Sequence, residues 1–156
     1  MGILEKEAAV FRNILVPTDG SALSRRAIKR AVQLAKEQKA RVTGFYVGPS
    51  WKPRGSDDSI AYGFVSPQQH AKNVEKTATR ILRAVRRQAA RAGVPCDCSF
   101  STNDFPYLKI VEAADRNGCD LILMASHGRH GISRLLLGSE TSKVLAHSKV
   151  PVLVCR

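Results

Sequence analysis

At 156 residues the chain suits one domain long enough to bury a core, and its 44% hydrophobic and 24% charged residues make a globular mix, not a disordered one. No apolar run reaches the roughly 20 residues of a membrane span; the start, with Glu5, Lys6 and Glu7, lacks the pattern of a secretory leader, so a soluble, cytoplasmic protein is expected. The net charge of +12 and the pI near 10.1 permit attraction to nucleic acid or anionic surfaces without requiring it.

Residues 1–11 are expected to be a mobile lead-in. Residues 13–17 contain the continuous apolar run Ile14-Leu15-Val16, which predicts a strand buried on both faces. Asp19-Gly20-Ser21 is turn chemistry, and Ser21 or a neighbour caps a first helix running to about Gln38. Leu23, Ala27, Ala31, Leu34 and Ala35 fall on one face of that helix, with Arg25, Arg26, Lys29, Arg30 and Lys36 on the other. A second strand covers 41–47. Residues 48–66, rich in Pro and Gly, form a long loop of the kind that often serves function.

Pro67 opens a second, long helix with a buried stripe of Val74, Ala78, Ile81, Leu82, Val85 and Ala89, and Gly93 ends it. Its outer face is again basic. Such faces are ordinarily just solvated, and none of the aromatic residues that stack single-stranded bases interleaves here, so nucleic acid is not the expected partner. The remaining elements are a strand at 95–101, a helix at 106–117, a strand at 121–125, a helix at 139–147 and a strand at 150–155. Strands alternating with helices predict an α/β fold with a five-stranded parallel sheet, helices on both faces. Cys96-Asp97-Cys98 is not zinc spacing; on a strand both thiols share a face and read as buried or half-buried thiols of a reducing compartment.

The most informative stretch is 120–141. A buried-strand run ends at Ala125, a glycine-bearing polar loop follows, and Gly138-Ser139 begins a helix. Ser139 reads as its N-cap, and Glu140 suits the positive end of the helix dipole. Strand, glycine loop and helix N-terminus together make a phosphate-holding arrangement, because glycine admits close approach and the first turn has unpaired N–H donors.

These residues resemble the nucleotide-binding motif of the universal stress protein family, G-x2-G-x9-G-[ST]. It falls here on Ala125, Gly128, Gly138 and Ser139, and Ala125 stands where the pattern has glycine. The Val16-Pro17-Thr18-Asp19-Gly20-Ser21 segment supplies the family's Asp after the first strand. The resemblance covers nearly the whole chain, as one domain. It implies a Rossmann-like sheet, related to the adenine nucleotide alpha hydrolases, in the order 3-2-1-4-5. Its crevice lies between the first and fourth strands, where the order reverses. It implies a regulatory or stress-response protein that binds ATP or AMP, with magnesium as a companion of the phosphates.

Asp19 would contact the adenine or ribose, Pro17 and Thr18 would line the nucleotide beside it, and Val47 would offer its backbone to adenine. Met124, Ala125, His127, Gly128, Arg129, Gly138, Ser139, Glu140 and Thr141 would line the rest of the nucleotide. If position 125 needed a positive φ, alanine there would cost about 1 kcal/mol. The resemblance further implies a homodimer through the apolar fifth strand (Val150, Val152, Leu153, Val154), which that order leaves at a sheet edge. No catalytic constellation is visible: Asp19 has no His partner and no residue stands out as a base. No Gly-Lys-[Ser/Thr] follows a glycine loop, and His127 and His130 lack the further ligands a metal would need. The alternative reading is the same fold with an empty or weak crevice, serving as a basic interaction module for an acidic protein or nucleic acid.

Overall fold

Ile14, Leu15 and Val16 are wholly buried, as a continuous apolar run at the centre of a parallel sheet requires. The computed structural model describes residues 10–53, 65–128 and 137–156. Their elements are β1 (Asn13–Pro17), α1 (Ala22–Gln38), β2 (Arg41–Gly48), α2 (Pro67–Ala92), β3 (Cys96–Thr102), α3 (Pro106–Arg116), β4 (Leu121–Ala125), α4 (Ser139–His147) and β5 (Val152–Cys155). The strands form one parallel sheet in the order β3-β2-β1-β4-β5, as the family resemblance implied. No helix of the described residues is long and apolar enough to cross a membrane. Most of the expected lead-in, the centre of the 48–66 loop, and Arg129, His130, Gly131 and Arg134 lie outside the described residues.

Alternation along the strands divides the core in two. Ile14, Val16, Leu121, Leu123 and Ala125 face one side and pack with α1 and α2. Leu15, Phe45, Ile122 and Met124 face the other and pack with α3 and α4. Both right-handed crossover layers are thus occupied, and the loops at the carboxyl ends of the strands gather at one edge.

Local chemistry explains most boundaries. Ser21 Oγ accepts from the Ser24 N–H at 3.1 Å and caps α1, as expected. That helix ends at Lys39 with φ 55°, a left-handed residue that is not glycine. Ser66 caps α2, Pro67 opens it and Gly93, at φ 68°, closes it. β2 continues to Gly48, one residue further than expected, because Gly48 still pairs with Thr102. The fifth strand is shorter than expected. Val150 precedes it, held in a local turn by Ser148 Oγ, which donates to Val150 O and accepts from Val150 N. Pairing with β4 starts at Pro151, whose carbonyl accepts from Ile122 N. At α4 the expected cap is also displaced: Gly138 is the N-cap and Ser139 the first helical residue, with no side-chain cap.

The Cys96 and Cys98 thiols do share a face, with their sulfurs 3.8 Å apart. That contact pushes the Cys96 thiol well up and holds Cys98 below its ordinary value. Burial pushes Cys119 and Cys155 up.

Candidate functional site

β1 and β4 are adjacent in the sheet, and the chain leaves their carboxyl ends in opposite directions, towards α1 and towards α4. Between the two exits lies a cleft of about 410 Å³, within the range that holds small-molecule ligands. Every residue nominated from the sequence lines it except Arg129, which lies outside the described residues.

The β1 exit is a tight turn. Asp19 Oδ1 accepts from the Ser21 N–H at 2.9 Å. Thr18 is buried; its hydroxyl donates to Ser24 Oγ at 3.0 Å and accepts from Gly20 N, so it braces the turn. Gly20, at φ 79°, supplies the left-handed backbone the turn needs.

The β4 exit is pinned at both ends of its loop by one residue. Ser126 N donates to Cys155 O at 2.7 Å, and Ser126 O accepts from Gly138 N at 2.8 Å. The chain therefore leaves and returns at the same point. Thr141, also buried, donates its hydroxyl to Ala125 O at 3.0 Å and fastens α4 to the strand end. His127 Nδ1 stands 2.9 Å from Ser126 Oγ. Its Nε2 is buried, with no hydrogen-bond partner among the described residues.

The two exits meet at Gly128. A Cβ added there would sit 2.8 Å from Asp19 Oδ2. At Gly138 a Cβ would come within 3.1 Å of Ser126 O and 3.3 Å of His127 Cα. Neither glycine has a positive φ; at Gly138 a side chain would press on main chain, and at Gly128 it would displace the Asp19 carboxylate. The same geometry answers the condition raised for Ala125, that a positive φ would cost it stability. It lies in β4 opposite Cys155 without a positive φ, and belongs to the core on the α1 and α2 side.

Glu140 has a role the sequence did not reveal. Its Oε2 accepts from the Tyr107 N–H at 2.8 Å, closing the first turn of α3, whose N-cap Phe105 makes no side-chain bond. Lys143 holds the other oxygen at 3.1 Å. The first-turn N–H groups of α4 itself, at Ser139, Glu140 and Thr141, have no intrahelical partners and border the cleft.

Sequence reasoning nominated Val47 from β2 but missed Phe45, Tyr46 and Ile110 on the cleft wall. Pro17 lies in register with Phe45, and Thr18 N donates to Phe45 O at 2.9 Å. That register brings Phe45 and Tyr46 to the β1 exit. Among the described residues no group of three or more His, Cys, Asp or Glu side chains is placed to hold a metal.

A profile of the universal stress protein family matches residues 11–156. The universal stress protein YxiE of Bacillus subtilis is 32% identical over 152 residues, covering 94% of this chain and all of that one. Three solved structures share the fold. MJ0577 of Methanocaldococcus jannaschii superposes with a TM-score of 0.76 at 24% identity, over 92% of this chain and 94% of that one. A universal stress protein in complex with cAMP gives 0.66 at 26% identity, over 94% and 97%. An Arabidopsis thaliana family member with AMP bound gives 0.64 at 14% identity, over 92% and 90%. The sheet order, the converging strand exits and these likenesses agree: the chain belongs to the universal stress protein family.

Proposed function

We propose that the cleft between the ends of β1 and β4 binds an adenine nucleotide, ATP or AMP, and that the chain works as a regulatory or stress-response module rather than as an enzyme. The observation that carries this reading is the meeting of Asp19 with Gly128, where a Cβ would sit 2.8 Å from Asp19 Oδ2 and would displace that carboxylate. Asp19 receives the ribose or adenine, with Val47 beside the base. Gly128, Gly138 and the first turn of α4 receive the phosphates, since uncapped helical N–H groups favour anions. His127 Nε2, buried and unpartnered among the described residues, gains a partner from the ligand. Magnesium, where present, travels on the phosphates, which suits a site with no metal-ligating cluster of its own among the described residues. Support also comes from the relatives whose structures hold cAMP and AMP.

No catalytic base is assigned among the described cleft residues, so any turnover of bound ATP is expected to be slow. Calorimetric titration with ATP and with AMP tests the reading: binding in the micromolar to millimolar range supports it, and the absence of heat at millimolar ligand refutes it.

The module pairs with a second copy through β5. That strand is an edge of the sheet, Val152 and Val154 are only partly buried, and Leu153 is 41% exposed. An apolar edge of this kind invites another strand. Light scattering at micromolar protein should give twice the chain mass of 17.0 kDa; a monomer refutes the pairing.

A further inference from the structure

The two helical coats of the sheet differ sharply in charge. α1 has five basic side chains against Glu37, and α2 has seven against Glu75. Together they hold +10 of the net +12 of the chain, whereas α3 and α4 come to zero. Every basic side chain of α1 and α2 is exposed. Among the described residues, the ion pairs involve none of them; Lys109, Arg116 and Lys143 on the opposite coat are all paired.

The pattern is also ordered. Lys72, Lys76, Arg80, Arg83, Arg87 and Arg91 follow at intervals of three and four, which puts them on one side of α2 over about 28 Å. α1 packs against α2, with helix axes about 8–10 Å apart where such helices touch, so the basic residues of α1 belong to the same coat. Like charges so arrayed repel one another until a polyanion arrives.

We propose that the outer faces of α1 and α2 dock the phosphate backbone of double-helical DNA, without reading bases. DNA offers one charge per about 1.7 Å, a regular array to match such a coat of cations. Lys and Arg contacts of this kind position a duplex and carry no sequence information. A membrane surface fits less well, because an interfacial helix needs apolar groups to insert, and none of the exposed large hydrophobic residues lies on α1 or α2. A single strand fits less well too, since neither helix carries a Phe, Tyr or Trp for bases to stack on. This docking is independent of the nucleotide reading: none of these basic side chains lines the cleft.

Fluorescence anisotropy of a labelled 24-base-pair duplex titrated with the full chain tests it. With six phosphates engaged, affinity should fall about a thousandfold between 50 and 200 mM salt. Arg83→Glu/Arg87→Glu should weaken binding at least tenfold. Lys109→Glu/Arg116→Glu, which changes net charge equally on the opposite coat, should weaken it less than threefold. The neutral pair Arg83→Gln/Arg87→Gln, which perturbs the fold least, should reduce the salt slope by about 2. Equal losses from the two charge reversals would overturn the proposal. So would the absence of binding at 50 mM salt, an unchanged slope in the neutral pair, or tighter binding to phosphatidylserine vesicles or poly-glutamate than to the duplex.

Discussion

The two faces of the sheet are built on different terms. On the α1 and α2 side each helix is capped by its own flanking serine and closed by its own left-handed residue, Lys39 or Gly93. Its core includes a run of wholly buried residues from Ile14 to Ala89. On the α3 and α4 side neither N-cap, Phe105 or Gly138, makes a side-chain bond. The first turn of α3 is closed from outside by Glu140, and that of α4 is left open onto the cleft. The cleft thus takes one wall from the capped start of α1, with Asp19 and Ser24, and its open donors from the face that does not complete its own helices. One coat supplies stability, and the other trades local completeness for available donors.

Mutations can separate the two roles. The largest effect is expected from Leu82→Ala in the α1 and α2 core, where removing a nearly fully buried side chain should cost about 2–5 kcal/mol in a urea titration. Nucleotide affinity, measured by calorimetry well below the unfolding midpoint, should stay unchanged. A parallel loss of affinity would break the comparison, because it would tie the site to the wrong coat.

Gly138→Val comes next. Its branched side chain would be driven against Ser126 O and His127 Cα, at a cost of about 1–3 kcal/mol. Here affinity should fall together with stability. Glu140→Gln should cost about 1 kcal/mol, the usual worth of a capping interaction, by weakening the charged bond to Tyr107 N. Its readout is amide exchange: the first turn of α3 should lose protection while α1 and α2 do not change.

What the sequence made legible follows from how local each signal is. The buried runs of β1 and β4, the Ser21 cap and the Gly93 stop are read within a few residues, and each lies where expected. The nominated cleft residues were reached through a motif, and what surrounds its glycines needed coordinates. Gly128 stands against the carboxylate of Asp19, more than one hundred residues earlier, and Gly138 against Ser126 O. The hold of Glu140 on Tyr107 spans 33 residues and two elements, so its position at a helix start suggested only a dipole role. Phe45 and Tyr46 reach the wall through the β1–β2 register, which periodicity does not encode. Val150 fits strand composition, yet a serine turn removes it from the strand. At Lys39 the main chain takes the left-handed shape to close α1 with bonds to Ala35 and Lys36, and lysine gives no sequence sign of that.

The smallest effect tests the charge side of the comparison. Glu112 on α3 is held below the ordinary carboxylate range, first by the hydrogen bond from Lys109 at 2.6 Å and then by its charge, with Arg116 adding at 3.5 Å. A carboxylate depressed in this way stabilises the fold above its unfolded pKa of about 4.3, and that contribution is lost as pH falls through the lower, folded value. Lys109→Met removes the main partner while keeping an unbranched, apolar stem. Its melting temperature should lie slightly below that of the parent at pH 7, and the gap should close as pH drops below 4. Because the pair is exposed, the gap should also shrink in high salt. Neutralising Arg83 on α2, which has no such pair among the described residues, should produce no gap of that sign. A stability loss from Arg83→Gln that closes in acid would mean that the basic coat is paired after all, and the electrostatic contrast between the two faces would fail.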